Sequence, residues 1–263
     1  MNGEYSPCKQ HMLNDGNSIP VVALGTSRIL LSETVDVITT AADIGYRHFD
    51  TAEFYSNITQ TGEGIRKVLL SGKVKRKDLF ITAKVNILPE MEGAVKIGLT
   101  RSIGLSNFNQ QQVESIIQKC TIPPAVLQTE CHAHLQITDL VQFCQDKEIF
   151  VIAFAPLGSP GLSTLKSKFG SNFKHLTNVE NSNQPCDIYH ESIVRDLAKQ
   201  HERTPAQILL RHHIQRGLGV LPKSSNPERL KENINIFDFN LTKCDMESME
   251  MLEKGRRIFS FGL

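Results

Sequence analysis

The 263-residue sequence contains no tryptophan, no C-x-x-C cysteine pair and no apolar run near the ~20 residues that a membrane span requires. Its six cysteines are scattered along the chain, which favours reduced thiols over a disulfide framework. The 29 Lys and Arg residues nearly balance the 28 Asp and Glu residues, so no global field favours nucleic acid or a membrane surface. The polar N-terminus lacks the apolar stretch of a secretory signal. We therefore expect a cytoplasmic protein without nucleic-acid or membrane partners.

No composition break or linker divides the chain, which predicts one domain over residues 1–263. Short apolar strands alternate with amphipathic helices, a pattern typical of a parallel sheet covered by helices. A hairpin at residues 12–22 precedes them, turning at Asn14-Asp15-Gly16. The predicted strands cover residues 21–24, 47–50, 79–85, 102–105, 126–129, 150–155 and 219–221. The predicted helices cover residues 32–44, 62–70, 91–96, 110–119, 139–147, 191–201 and 205–215.

The fold class that this rhythm predicts is a TIM-type (β/α) barrel with seven strand–helix units, one fewer than a standard barrel has. The connection at residues 157–188 is long, polar and rich in Ser, Asn and Gly. Long connections in compact domains are often lids or binding loops, and a disordered insert is the alternative. Active sites of such barrels lie at the carboxyl ends of the strands, so polar residues at strand ends are the candidates for chemistry.

Three residues near strand ends form the first candidate cluster. Asp50 ends the second strand, Tyr55 lies in the loop after it, and Lys84 is near the end of the third strand. An ammonium beside a phenol favours phenolate, so we expect Lys84 to lower the pKa of Tyr55 and make it a proton donor. Asp50 is expected to hold the ammonium. Taken singly, the three are equally well explained as a turn cap, a loop aromatic and a solvated strand end.

A second candidate cluster follows the last strand and opens a helix. Lys223, Ser224 and Arg229 combine positive charge with hydrogen-bond donors at a helix start, which suits a phosphate. An exposed basic helix start is the alternative explanation. The sequence has no G-x-G-x-x-G motif, which argues against a Rossmann-type dinucleotide site.

Further polar and aromatic residues lie at other strand ends. Ser106, Asn107 and Gln128 would offer hydroxyl and amide groups, and Phe154 a flat face for a ring or an ordinary core contact. Cys131, His132 and His134 lack a fourth ligand at a familiar spacing, so no metal site is predicted.

Together these segments resemble the aldo-keto reductase family. The resemblance lies in four ordered stretches: FDTAEFY at 49–55, ITAK at 81–84, GLTRSIGLSNF at 98–108 and KSSNPERLKEN at 223–233. It extends over nearly the whole chain and implies a barrel that binds NADPH.

The resemblance also implies a role for each matching residue. Tyr55 would be the general acid, Lys84 its partner and Asp50 the residue that orients Lys84. The nicotinamide would contact Ser106, Asn107, Gln128 and the ring of Phe154. The 2′-phosphate would contact Lys223, Ser224 and Arg229, the adenine would contact Glu232 and Asn233, and Gly25 and Thr26 would lie beside the cofactor.

One departure from the family pattern stands out. The family has a further helix and a fourth strand after the lysine strand, ending in a His-Trp-Pro-like motif, whereas here Lys84 is followed within a few residues by the helix at 91–96. Loss of an interior strand leaves a gap of about two strand spacings of ~4.7 Å, which predicts a distorted or less stable barrel. Loss of the histidine donor is expected to lower the rate by about 10²–10³.

The leading hypothesis is an NADPH-dependent oxidoreductase, expected to be a monomer, that reduces a small aldehyde or ketone. A catalytically impaired or inactive NADP(H)-binding deletion variant, or a product with no stable fold, is the second. A Schiff-base aldolase that uses Lys84 is the third. Asp50 beside a charged Lys84 argues against the third.

Overall fold

Two parallel sheets form the centre of the structure, a computed structural model that describes residues 9–85, 91–161 and 187–259. The first consists of β3, β4 and β5, and the second of β6, β7, β8 and β9, in that order. An antiparallel hairpin of β1 and β2 precedes them. The strands are β1 (Gln10–Met12), β2 (Ser18–Pro20), β3 (Leu24–Gly25), β4 (His48–Asp50), β5 (Phe80–Thr82), β6 (Gly104–Ser106), β7 (Val126–Glu130), β8 (Phe150–Phe154) and β9 (Gly219–Leu221).

The two sheets are joined where the first strand meets the last. Val22 and Val220 form a parallel bridge, and the N–H of Ala23 donates to the carbonyl of Val220 at 2.9 Å. The described strands therefore follow one another in the order β5-β4-β3-β9-β8-β7-β6. This agrees with the predicted barrel of seven strand–helix units, and each predicted strand contains or overlaps an observed one.

Helices follow most of the strands. They are α1 (Leu31–Ile44), α2 (Ile58–Leu70), α3 (Met91–Lys96), α4 (Gln110–Ile117), α5 (Thr138–Asp146), α6 (Ser192–Gln200), α7 (Pro205–Gln215), α8 (Pro227–Ile234) and α9 (Lys243–Glu250). The seven predicted helices all appear. Helix α9 was not predicted, although Thr242 and Asp245 form a capping box at its start. In the described part of the chain, no helix is both long enough and apolar enough to cross a bilayer.

The core lies between the buried strands and their covering helices. Phe49 on β4, Leu127 on β7 and Val220 on β9 are fully buried. Helix α2 packs closely on α1 because Gly64 has no side chain: a Cβ there would lie 2.8 Å from the Cβ of Ile38. A substitution at this glycine would force the two helices apart.

The strand order is interrupted between β5 and β6. Within the described ranges no ladder of hydrogen bonds joins these two strands, so the barrel is not closed there. All three residues of β5 are only half-buried, and Gly104 of β6 is exposed. Near the interruption, Val85 and Leu99 keep 57% and 78% of their surface exposed. Two poorly covered strand edges therefore face each other across this interruption.

Hydrogen bonds from the hairpin and from α3 connect the segments around this break. The Asn17 amide donates to the carbonyl of Arg101 at 3.3 Å and to the hydroxyl of Ser102 at 3.1 Å, just before β6. The Glu92 carboxylate of α3 accepts the N–H groups of Thr121 and Ile122 at 2.6 and 3.1 Å. The predicted long connection at 157–188 lies mostly outside the described residues.

Candidate active site

The first predicted cluster is assembled at the carboxyl ends of β4 and β5. Asp50 is fully buried and ends β4, where it pairs in register with Gly25 and Thr82 on the neighbouring strands. The Nζ atom of Lys84 lies 2.7 and 2.6 Å from the two carboxylate oxygens of Asp50. It also donates to the hydroxyl of Tyr55 at 3.2 Å. The chain thus brings the three predicted residues into direct contact.

Local structure explains where the phenol lies. A short 3₁₀ helix, Glu53–Tyr55, follows β4, and Ser56 ends it in a left-handed conformation with φ of 61°. The side chain of Tyr55 is thereby turned back over the strand end, with Lys84 Nζ 5.0 Å from the centre of its ring. The Tyr55 hydroxyl donates a long hydrogen bond of 3.5 Å to Asp50.

The expected effect of Lys84 on the tyrosine was wrong. Burial raises the pKa of Tyr55, and the negative charge and hydrogen bond of Asp50 raise it further, whereas Arg28 opposes the shift. The physical reason is that burial and the negative charge of Asp50, 3.5 Å from the hydroxyl, outweigh the effect of the Lys84 ammonium, which donates to the same hydroxyl at 3.2 Å but is itself paired with Asp50. Burial likewise raises the pKa of Asp50 and lowers that of Lys84, and their mutual attraction opposes both shifts.

The predicted nicotinamide residues also lie close to this cluster. Ser106 and Gln128 pair in register on β6 and β7, and the N–H of Asn107 donates to the carbonyl of Gln128 at 2.9 Å. The Gln128 amide donates to Asp50 at 2.8 Å, which links β7 to β4 across the mouth. Asn107 adopts a left-handed φ of 59°, and its buried side-chain oxygen accepts no hydrogen bond within the described residues.

The first loop connects the two predicted clusters. Gly25 donates its N–H to the carbonyl of Pro222 at 3.1 Å, immediately before Lys223. Thr26 is fully buried, and its hydroxyl donates to the carbonyl of Asp50 at 2.8 Å. Thr26 therefore holds the end of β4 in place, a structural contact in addition to its predicted position beside a cofactor.

The second predicted cluster lies after β9 and at the start of α8. Asn226 caps this helix by accepting the N–H of Arg229 at 3.1 Å, and the Ser224 hydroxyl accepts the N–H of Asn226 at 3.1 Å. Lys223 and Arg229 are exposed, whereas Ser224 is buried in this turn.

Like charges gather in this cluster. Partial desolvation lowers the pKa of Lys223, and the positive charges of Arg229 and Arg28 lower it further, against an opposing effect of Glu33. A concentration of positive charge at a helix start is suited to an anionic ligand. Glu232 is half-buried and Asn233 is buried on the same helix.

Sequence reasoning missed Arg28. It lies in the loop after β3 with a left-handed φ of 62°, and its charge acts on both Tyr55 and Lys223. It is thus placed between the two clusters. Its position two residues after Thr26, which was already singled out, was the available signal.

The remaining residues singled out from the sequence are Phe154 and those considered for a metal site. Phe154 ends β8 and pairs in register with Leu221 and Glu130. His132 contacts Glu130 at 3.1 Å, and His134 contacts Glu191 at 2.7 Å. Across the described ranges, no three His, Cys, Asp or Glu side chains are grouped as metal ligands.

Comparison with known proteins agrees with this geometry. The model of the Aldo/keto reductase family matches residues 21–93 and 86–254. Prostaglandin F synthase 1 of Bos taurus is 31% identical over 95% of this chain and 93% of that protein. Aldo-keto reductase family 1 member D1 of Mus musculus is 32% identical over 94% of this chain and 92% of that protein.

Solved structures give the same result. The Bombyx mori aldo-keto reductase in complex with NADP superposes with a TM-score of 0.84 at 28% identity, covering 97% of this chain and 96% of that one. The aldose reductase from Schistosoma japonicum superposes with a TM-score of 0.81 at 30% identity, covering 95% and 93%. The chain therefore belongs to the aldo/keto reductase family.

Proposed function

We propose that this chain is an NADPH-dependent oxidoreductase that reduces an aldehyde or ketone to an alcohol, with Tyr55 as the general acid. The observation that carries the proposal is the contact of Lys84 Nζ with both Asp50 and the Tyr55 hydroxyl, at 2.6 and 3.2 Å. A phenol that receives an N–H from a held ammonium can release its own proton to a carbonyl oxygen, because the ammonium stabilises the phenolate that remains.

The residues of the chain would act in the following way. The Tyr55 hydroxyl turns from its long hydrogen bond with Asp50 to the substrate oxygen and transfers its proton there as the carbonyl carbon is reduced. Lys84 stabilises the phenolate, and solvent returns the proton. Asp50 keeps Lys84 in position through its two short contacts. A reduced nicotinamide supplies the hydride when bound.

The residues present fit such a cofactor. The buried side-chain oxygen of Asn107 lacks a donor within the described residues, which suits the N–H of a carboxamide. Lys223, Ser224 and Arg229 would hold the 2′-phosphate, giving a preference for NADPH over NADH. Arg28, between the two clusters, is placed for the diphosphate that joins the two halves of a dinucleotide. Glu232 and Asn233 would contact the adenine, and Phe154 the nicotinamide ring.

We further propose that a segment carrying the fourth strand is absent. The family match is divided into two parts that meet at residues 86–93, next to the interruption between β5 and β6. The alignment to the bovine relative extends over 314 positions, more than the 263 residues of this chain. These observations support a missing internal segment of the relatives' sequence. In addition, the family's substrate-binding histidine has no counterpart among the motifs of this chain.

A second candidate function follows from the same break. The open strand edges and the raised pKa of Tyr55 favour a chain that binds NADP(H) but turns over substrate slowly or not at all. Both candidates bind NADPH. Only the first is expected to reduce a substrate at a measurable rate.

The test is the rate of NADPH oxidation with an aromatic aldehyde, compared between the wild type and Tyr55→Phe. We expect a measurable wild-type rate and a loss of about 10²–10⁴-fold in the variant, the usual contribution of a general acid. NADPH affinity should not change, because the ring is retained.

The control is Tyr189→Phe, the same change at a tyrosine of the 3₁₀ helix Ile188–His190. Tyr189 lies near Arg229 and Glu232, so any effect of this variant should appear in NADPH binding, and its turnover at saturating NADPH should equal that of the wild type. Equal rates in the wild type and Tyr55→Phe would refute the proposed acid. NADPH binding with no turnover in any variant would establish the second candidate.

A further inference from the structure

The C-terminal residues 253–259, which we name the C-terminal strap, follow helix α9 and lie against the segment at 130–136. The carbonyl of His134 accepts the N–H groups of Lys254 and Arg256 at 3.3 and 2.9 Å. The Gln136 amide donates to the carbonyl of Met249 at 2.9 Å, just before the strap. The strap is thus held along its length by the residues that follow β7.

A further anchor is Glu130, the last residue of β7. Its two carboxylate oxygens accept the N–H groups of Ile258 at 2.6 Å and Phe259 at 3.1 Å. His132 contacts the same carboxylate at 3.1 Å, and Arg257 lies 3.8 Å from it. Glu130 is fully buried, and a buried carboxylate is tolerated only where donors satisfy it, as the strap does here.

The register of β7 and β8 shows which side chain lies next to the Glu130 carboxylate. Glu130 pairs with Phe154 on β8, so the two side chains emerge on the same face of the sheet. By holding the N–H of Phe259, Glu130 brings the ring of Phe259 to 5.8 Å from the ring of Phe154, tilted by 58°. The guanidinium of Arg28 lies over the other ring of this pair, 5.2 Å from the centre of Phe259.

We propose that Phe259 is a second aromatic wall of the nicotinamide site and that Glu130 is the positioning residue that sets it there. This inference rests on the proposed function, because it takes Phe154 as the nicotinamide-stacking residue. A tilted ring packed beside Phe154 limits the rotation of Phe154 and so bounds one side of the place where the nicotinamide would stack. Phe259 is only 6% exposed and Ile258 only 5%, so the strap is packed rather than solvated.

The test measures the Kd of NADPH from its own fluorescence, which no tryptophan of this chain disturbs. We expect Phe259→Ala to weaken NADPH binding by about 3- to 10-fold, the range that an aromatic contact contributes. Phe259→Tyr should restore the wild-type Kd, since it keeps the ring. Glu130→Gln should weaken binding by a similar factor, because only one of its two acceptor oxygens remains.

The double variant Glu130→Gln/Phe259→Ala separates positioning from general damage. If Glu130 acts through Phe259, the double variant should bind NADPH no more weakly than Phe259→Ala alone. A purely structural role of Glu130 would give additive losses. Glu250→Gln, the same change at an exposed residue before the strap, is the matched control and should leave Kd unchanged.

Unchanged or tighter NADPH binding by Phe259→Ala would overturn this inference and leave the proposed function standing. So would additive losses in the double variant. Absence of NADPH binding by the wild type would overturn both. If Glu130→Gln does not fold, as shown by a lost thermal transition, the pair Phe259→Ala and Phe259→Tyr still decides the role of the wall.

Discussion

Strands β4, β8 and β9 on one side of the molecule differ sharply from β5 and β6 on the other. Every residue of β4 and β9 is buried, as is every residue of β8 except Phe154, whereas β5 is half-buried throughout and β6 has one buried residue. A parallel strand is well covered only when it has neighbours on both edges and helices on both faces. Within the described residues β5 and β6 each have a paired neighbour on one edge only, and both are poorly covered, while the far side of the sheet is well packed.

The residues proposed for chemistry lie on both sides of this break. Lys84 follows β5, Ser106 is the last residue of β6, and Asn107 follows it. The hydrogen bond from Gln128 to Asp50 joins the two sides at the mouth, at 2.8 Å. Polar contacts between residues at strand ends can therefore hold these residues together even where the strands that carry them are not paired.

The largest expected contrast is in core stability. Ile152→Ala on the well-covered β8 should lower the free energy of unfolding by about 2–5 kcal/mol, because Ile152 is only 2% exposed. Ile81→Ala on the half-buried β5 should cost about 1 kcal/mol, since less apolar area is lost. Urea denaturation followed by circular dichroism measures both. Equal losses would show that β5 is as well packed as β8.

Acid should also destabilise the fold. Burial lowers the pKa of His48 to about 4, against 6.5 in the unfolded chain, so the unfolded state binds the proton first as the pH falls. The stabilising contribution is complete above pH 6.5 and is lost between 6.5 and about 4. From pH 7 to pH 5 the loss from this residue is about 2 kcal/mol.

His212, on the helix that packs on β9, has its pKa lowered to about 3 by burial and should add a similar loss. Burial also lowers the pKa of His213, so urea denaturation at pH 7 and pH 5 measures the loss from all the buried histidines, and His48→Gln isolates the contribution of His48. The variant should lose less stability than the wild type over this interval. The same loss in both proteins would contradict a neutral, buried His48.

Cofactor selectivity tests the phosphate cluster, which lies away from the break. Arg229→Ala should raise the Kd of NADPH about 10-fold through loss of one charge-assisted contact. The Kd of NADH, which lacks the 2′-phosphate, should not change and is the internal control. An equal rise in the Kd of both cofactors would show that Arg229 does not act through the 2′-phosphate. High salt should reduce the difference, because Arg229 is exposed.

The smallest expected effect concerns the hairpin that contacts the start of β6. Asn17→Ala removes two hydrogen bonds, to Arg101 and Ser102, and should lower the free energy of unfolding by about 1 kcal/mol. Asn235→Ala is the control, since Asn235 makes hydrogen bonds through its backbone N–H and carbonyl, which the substitution keeps. Indistinguishable stability of the two variants would show that the hairpin does not support the open side.

Much of the fold could be predicted because the signals were local. Gly45, with φ of 121°, ends α1 directly after the predicted helix at 32–44, and Gly16, with φ of 81°, lies in the predicted hairpin turn. The helix at Lys243–Glu250 was missed because its sequence carries little apolar periodicity, although its capping box at Thr242 was present. The residues at strand ends were found because parallel strands bring their carboxyl ends to one face.

The sequence by itself determined the family, the order of strands and helices, and the set of polar side chains that would meet at the mouth, since these follow from turn chemistry, periodicity and short motifs. Only the tertiary structure decided the raised pKa of Tyr55, because that depends on burial and on how Lys84 divides its charge. Only the tertiary structure shows that Glu130 accepts the N–H of Phe259, which is 129 positions away in the chain. Such contacts depend on the packing of the whole molecule, which no local pattern records.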